Sequence, residues 1–212
     1  MTPFRTICIT LRDASYISRS GGPRDHSRMR EHFAARGISP TYFYAVNVEP
    51  VGIRTIHPYE YDNPGSGYMM LPAQVGCWLA HRFLWSALLL LPDDVFLVIE
   101  DDAEFHADWR ERTARAIADC PPDWDMLLIG NCDCAPKPKT HVAGEVWDVR
   151  WPATTHAYLV RRKALEALID TTDAARCYAP IDLSLGFHSY AALKVYTLLP
   201  RAVDQFDTVL IP

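Results

Sequence analysis

Glu100, Asp101 and Asp102 stand side by side, directly after the apolar run Val95-Phe96-Leu97-Val98-Ile99. Three adjacent carboxylates repel one another and shift each other's pKa values. A divalent cation offsets that repulsion, and hard ions such as Mg²⁺ and Mn²⁺ favour carboxylate oxygen. Side chains alternate along a strand, so continued extended geometry predicts Glu100 and Asp102 on one side and Asp101 on the other. The run before them reads as a strand covered on both faces. Ligands of open α/β sheets bind beyond the carboxyl ends of such strands. The plain alternative is a solvated acidic turn, which is how Asp93-Asp94 at the other end of the strand reads.

The cysteines offer a second chemistry to weigh. There are six, at positions 8, 77, 120, 132, 134 and 177. Most sit inside apolar patterns, and the chain shows no export signal, so they read as buried or half-buried thiols rather than disulfides. Cys132-Asp133-Cys134 with His141 lacks the usual two-residue spacing and a second pair, which argues against a zinc knuckle.

Elements on both sides must position the acidic run. Phe4 to Leu11 reads as a buried strand, and Arg12 to Arg24 as a loop containing Gly21-Gly22-Pro23. A helix capped by Asp25 or Ser27 runs through Met29 and Phe33 and ends at Gly37. Tyr42 to Val46 is a strand, and the Pro- and Gly-bearing stretch Asn47 to Gly67 a long loop. Ala73 to Leu91 reads as a buried helix stopped by Pro92, and Ala107 to Cys120 as an amphipathic one. Strands follow at Asp125–Gly130, Val146–Trp151 and His156–Val160, with a loop from Asn131 to Gly144. Arg161 to Ile169 is helical, Pro180 opens a helix toward Leu193, and Val195 to Leu199 is the last strand. Alternating strands and helices, with more local pairing late, predict an α/β fold with a mostly parallel central sheet flanked by helices. The 212 residues read as a single domain, 1–212, without repeats.

A net charge of −5 and pI of about 5.9 argue against a nucleic-acid binder, which would carry a basic face. The longest apolar run ends at Pro92, short of the roughly 20 residues a membrane span needs. The expected location is the cytoplasm, with peripheral membrane association and oligomeric state left open.

The ordered set of short motifs is more specific. Ile99-Glu100-Asp101-Asp102-Ala103-Glu104-Phe105 resembles the signature of glycosyltransferase family 25, the lipooligosaccharide galactosyltransferases and their collagen-modifying relatives. Gly76-Cys77-Trp78-Leu79-Ala80-His81 resembles that family's "G-C-x-x-S-H" helix start, with Ala80 in place of the usual Ser. Phe43 to Val46, Trp124-Asp125 to Gly130, His156 to Val160 and Pro180-Ile181-Asp182 fall in matching order.

The resemblance implies a GT-A-like (Rossmann-like) fold and inverting transfer of a hexose, galactose or glucose, from a UDP-sugar to a glycan or glycoconjugate hydroxyl. It implies Asp102 as ligand of Mn²⁺ or Mg²⁺, Glu100 near the nucleotide's ribose or base, Asp101 in support, and Asp182 as the base. His188 is a candidate further metal ligand, against a packed or surface histidine. Arg12 and Arg28 are candidates for the diphosphate or base, against solvated positions. His81 is expected to brace the helix start against the acidic loop, and His156 to be a satisfied half-buried histidine or an acceptor contact. Trp78, Trp85, Trp109 and Trp124 read as core, and Trp147 and Trp151 as core or sugar-facing.

Overall fold

The computed structural model describes residues 4–11, 26–45, 72–132, 139–149, 153–173 and 180–206. Its strands are β1 (Arg5–Thr10), β2 (Thr41–Tyr44), β3 (Val95–Glu100), β4 (Ala103–Phe105), β5 (Met126–Cys132), β6 (Lys139–Ala143), β7 (Val146–Val149), β8 (Ala153–Arg161), β9 (Val195–Leu198) and β10 (Val203–Gln205). The helices are α1 (His26–Ala35), α2 (Pro72–Leu88), α3 (Trp109–Asp119), α4 (Leu165–Thr171) and α5 (Ile181–Ser184).

Eight strands form the main sheet in the order β2-β1-β3-β8-β5-β9-β7-β6. β1, β2, β3, β5, β6 and β9 run one way, and β7 and β8 the other, so the sheet is mostly parallel in direction.

Both faces of this sheet are covered, and the alternation along each strand says by what. Phe96 and Val98 of β3 join Tyr158 and Val160 of β8 in a core with Trp78, Leu84, Trp85 and Leu88 of α2 and Leu165 and Leu168 of α4. Leu97 and Ile99 join Ala157 and Leu159 in a second core with Met29 and Phe33 of α1 and Trp109 and Ala116 of α3. This two-sided burial is why β3 carries an unbroken apolar run rather than an alternating one.

Several sequence expectations need correction. Lys139 to Ala143, read as loop, is strand β6 and pairs antiparallel with β7. The strands expected at Val146–Trp151 and His156–Val160, which read as flanking a turn, correspond to β7 and β8 and are not neighbours; β9 and β5 lie between them. Helix α2 ends at Leu88, before Pro92. The helix opened by Pro180 is regular only to Ser184 and widens into a π-type turn over Leu185–Ser189. β9 is not the last strand, because β10 follows and pairs with β4 as a separate two-stranded ladder. The loop from 47 to 67 lies outside the described residues.

Candidate active site

Three elements end together at one edge of the sheet. β1 and β3 are parallel with Ile9 opposite Glu100, so Thr10 and Asp101 follow side by side. β8 runs antiparallel to β3, which brings its first residues to the same edge. α5 begins beside them.

Extended geometry does not continue through the carboxylates. β3 stops at Glu100, and Asp101-Asp102 form a turn, as short side chains that bond their own backbone favour. Glu100 and Asp102 are therefore not strand neighbours on one face.

Glu100 falls on the α2 side of the sheet, where alternation places it. Its Oε1 accepts from Thr155 Oγ1 at 2.8 Å and lies 3.2 Å from His81 Nε2. Burial pushes this carboxyl up, but the His81 and Thr155 hydrogen bonds and the nearby imidazoles outweigh it and hold it below the usual carboxylate range. His81 is fully buried, and its Nδ1 is 2.9 Å from the Tyr158 hydroxyl, whose oxygen accepts from Trp85 Nε1 at 2.9 Å. His81 thus braces Glu100 itself, from the middle of α2 rather than its start.

Asp101 turns inward instead. Its Oδ2 accepts from Thr10 Oγ1 at 2.8 Å and lies 3.7 Å from His26 Nε2 at the start of α1. Its side chain fixes the turn to β1 and α1.

Asp102 stays half-buried at the mouth of the edge. Phe206 N–H donates to its carbonyl at 2.7 Å, and Gln205 Nε2 to its Oδ2 at 3.5 Å. Arg28, exposed on α1, lies over the Phe206 ring at 4.5 Å from its centroid, so it stands beside this turn. Carboxylate oxygen is the donor type that hard divalent cations select, so Asp102, in the turn at the end of β3, fits a role as their ligand.

Asp182 occupies the first turn of α5. Its Oδ1 accepts from Leu183 N–H at 2.9 Å and its Oδ2 from Thr154 N–H at 3.4 Å. Thr154 and Thr155 are consecutive, so Asp182 and Glu100 are fastened to adjacent residues of β8. Thr154 has a φ of 74°, a left-handed conformation that is strained for a β-branched residue.

The opposite side of β8 explains that strain. Alternation from Tyr158 would turn His156 toward α2. Register shifts in β5 between Leu128 and Cys132 break the alternation, as bulges beside functional sites do. His156 Nε2 instead donates to Val203 O at 3.1 Å, and its Nδ1 accepts from Thr154 Oγ1 at 3.0 Å. His156 is a satisfied buried histidine, 2% exposed.

The ladder of β4 and β10 supports the turn from behind. β4 has β10 on one edge; on the other, Phe105 N–H donates to His32 Nε2 at 2.8 Å and Phe105 O accepts from Arg36 Nε at 2.8 Å. Side chains of α1 and of the turn after it thus stand in for a second strand. Arg112 of α3, 6% exposed, bonds Glu145 Oε2 at 2.9 Å and the carbonyls of Arg201 and Pro200, fixing the approach to β10.

The sequence-derived candidates Glu100, Asp101, Asp102, Arg28 and Asp182 therefore converge. Arg12 lies outside the described residues. His188 is placed only by its backbone, in the π-type turn. Thr10, Thr154, Thr155 and Gln205 are not among the residues the sequence singles out; a Thr at the end of β1 and a Thr pair opening β8 are the signals that could have found the threonines, and Gln205 carries none. The tryptophans read as core, 78, 85, 109 and 124, are buried. Trp147 is partly buried and packs edge-on against His141 at 4.9 Å, and Trp151 lies outside the described residues.

The site thus lies on an α/β sheet covered on both faces, with carboxylates gathered at the end of β3 and, from α5, beside the start of β8. A solved glycosyltransferase involved in glycosylating the major capsid of PBCV-1 shares this fold, with a TM-score of 0.51 over 97% of this chain and 95% of that one at 12% identity.

The resemblance to glycosyltransferase family 25 is borne out by curated relatives. Human inactive glycosyltransferase 25 family member 3 is 31% identical over 87 residues, 40% of this chain and 15% of that protein. An Anopheles gambiae glycosyltransferase 25 family member is 29% identical over 114 residues, 49% of this chain and 19% of that protein. Danio rerio procollagen galactosyltransferase 1 is 29% identical over 89 residues, 41% of this chain and 14% of that protein. The chain thus spans less than a fifth of the length of these relatives. No protein-family model matches it. Among the described residues, no helix is long and apolar enough to cross a membrane.

Proposed function

We propose that this chain is a glycosyltransferase that moves a hexosyl group, galactose or glucose, from a UDP-sugar to a hydroxyl of a glycan or glycoconjugate with inversion. The observation that carries this reading is the joint fastening of Glu100 and Asp182 to Thr155 and Thr154, beside the Asp101-Asp102 turn. Carboxylates from two distant segments meet where an α/β sheet binds ligands.

In this reading Asp102 would hold Mn²⁺ or Mg²⁺, which would supply charge neutralisation for the diphosphate. Glu100, kept ionised and immobile by His81 and Thr155, accepts hydrogen bonds from hydroxyls of the nucleoside. Asp101 positions the turn through Thr10. Arg28, on the rim, reaches toward diphosphate oxygens. Asp182 takes the proton of the acceptor hydroxyl, as an inverting displacement requires of a base. His188 would add a ligand to the cation.

A second reading keeps the fold and the ligand but not the reaction: a nucleotide- or glycan-binding module. The word "inactive" in the name of the human relative favours keeping it. Calorimetric titration of UDP with and without Mn²⁺, on the wild type and Asp102→Ala, tests the donor site. Manganese-dependent binding that is lost in the variant is expected. Binding that ignores both manganese and the substitution overturns the assignment. UDP binding without transfer or donor hydrolysis would select the second reading.

A further inference from the structure

α2 and the end of β3 bring a thiol, an imidazole and a carboxylate together. Cys77 and His81 are four residues apart on α2 and so share a helix face. Glu100 closes the group from the sheet. One ligand atom from each of the three lies within 4.8 Å of the other two. Tetrahedral zinc, with bonds of about 2.0–2.3 Å, has ligand–ligand edges of about 3.3–3.7 Å. The edge from His81 Nε2 to Glu100 Oε1 is already 3.2 Å. The sulfur needs to close by at most about 1 Å to complete the triangle, within reach of small side-chain adjustments.

The surroundings are those of a metal site. Metal-ligating histidines are oriented by a partner on the other ring nitrogen, and ligating carboxylates are themselves hydrogen-bonded. Tyr158 occupies His81 Nδ1, Trp85 fixes Tyr158, and Thr155 holds Glu100. His81 is wholly buried, whereas Cys77 is partly exposed and the Glu100 side chain is 21% exposed, which leaves an approach from one side. Cys77 is not in a disulfide.

We propose that Cys77, His81 and Glu100 form a site for a thiophilic divalent cation, zinc above all, with a fourth position open to water or a ligand oxygen. Thiolate with imidazole selects zinc over manganese or magnesium, so this site is chemically distinct from the thiol-free site proposed at Asp102. On binding, the Cys77 thiol gives its proton to solvent. The proton on His81 Nε2 is replaced by one on Nδ1, which then donates to the Tyr158 oxygen. Metal–sulfur, metal–nitrogen and metal–oxygen bonds form, and the ion's bound waters leave except the one retained at the fourth position. No redox change occurs.

The test is a titration of the chelator-treated full chain with Zn²⁺, and separately Mn²⁺, in the absence of nucleotide, so that it is independent of glycosyl transfer. One zinc per chain is expected, with affinity at least tenfold weaker in Cys77→Ser. In parallel, iodoacetamide labelling of the wild type is mapped by mass spectrometry. Zinc should slow labelling of Cys77 at least tenfold, and Mn²⁺ should not. This second readout needs no variant and stands even if Cys77→Ser fails to fold. No stoichiometric zinc, unchanged affinity in a folded Cys77→Ser, or Cys77 labelling indifferent to zinc each overturns the proposal.

Discussion

A Cβ built on Gly130 would stand 2.2 Å from Nε2 of His156 and 3.1 Å from Cβ of Ala157. The bare backbone of β5 is the space into which the imidazole turns. Gly130→Ala must therefore displace His156 from Val203 O and Thr154 Oγ1. A loss of about 2–4 kcal/mol is expected, combining overpacking with orphaned buried polar groups. Urea unfolding measures it. In Gly130→Ala/His156→Ala the two costs should sum to less than the single effects, because the clash has no partner. Strict additivity would show that the imidazole is not what fills the space.

Thr155→Val keeps shape and removes the donor to Glu100. Hydrogen bonds to charged groups contribute about 1.5–3 kcal/mol, and a loss in that range is expected by denaturant unfolding. UDP affinity should fall with it if Glu100 contacts the nucleoside, whereas unchanged affinity would remove Glu100 from the donor site.

Arg112→Met strips a buried guanidinium from Glu145 and two carbonyls that lead into β10. The expected cost is about 2–4 kcal/mol. Arg112→Lys should recover little of it, because a single ammonium cannot reproduce the planar fork. Full recovery by Lys would make the interaction a simple charge pair.

His32 and His156 both have pKa values lowered, mainly by burial, with Arg36 adding at His32 and Arg201 at His156. In the unfolded chain each binds its proton near about pH 6.5. Between the folded and unfolded values the unfolded state carries more protons, so stability rises with pH across that window. It is fully present above about 6.5 and lost as the pH falls toward the folded values. His32→Gln should flatten the drop in Tm between about pH 7.5 and 5.5; an unchanged drop would assign the titration elsewhere.

If Asp182 is the base, Asp182→Asn should leave UDP and Mn²⁺ binding intact and slow transfer by about 10²–10⁴. Single-turnover assays with UDP-galactose and UDP-glucose measure this, and normal turnover would remove Asp182 from the chemistry.

The central part of this molecule could be read from its residues. An unbroken apolar run ending in carboxylates specified β3 and its acidic end, since a strand buried on both faces admits few other sequences. Cores on each side of it followed from simple alternation. Other features left no such mark. β4 and β10 are three residues each, too short for a period to show, and one edge of β4 is satisfied by His32 and Arg36 rather than by a strand. The break in alternation at Gly130 and Thr154 is a property of two strands fitted together, so His156 faces β10 against its parity. Asp101 looked like a companion of its neighbours; only the turn after Glu100 sends it to Thr10. Arg112 reads as a polar helix position and becomes buried because three acceptors from other segments converge on it.

The pairing of Gln205 with Asp102 spans 103 positions. A ribosome adding about 5–20 residues per second needs roughly 5–20 s to travel that distance. During that interval β1, β3 and α2 are already available to assemble, while Asp102 has neither its backbone donor from Phe206 nor β10 beside Ala103. The sheet can therefore form before the acidic turn is set, and a chain interrupted before Val203 would carry the scaffold of the site without its final shape.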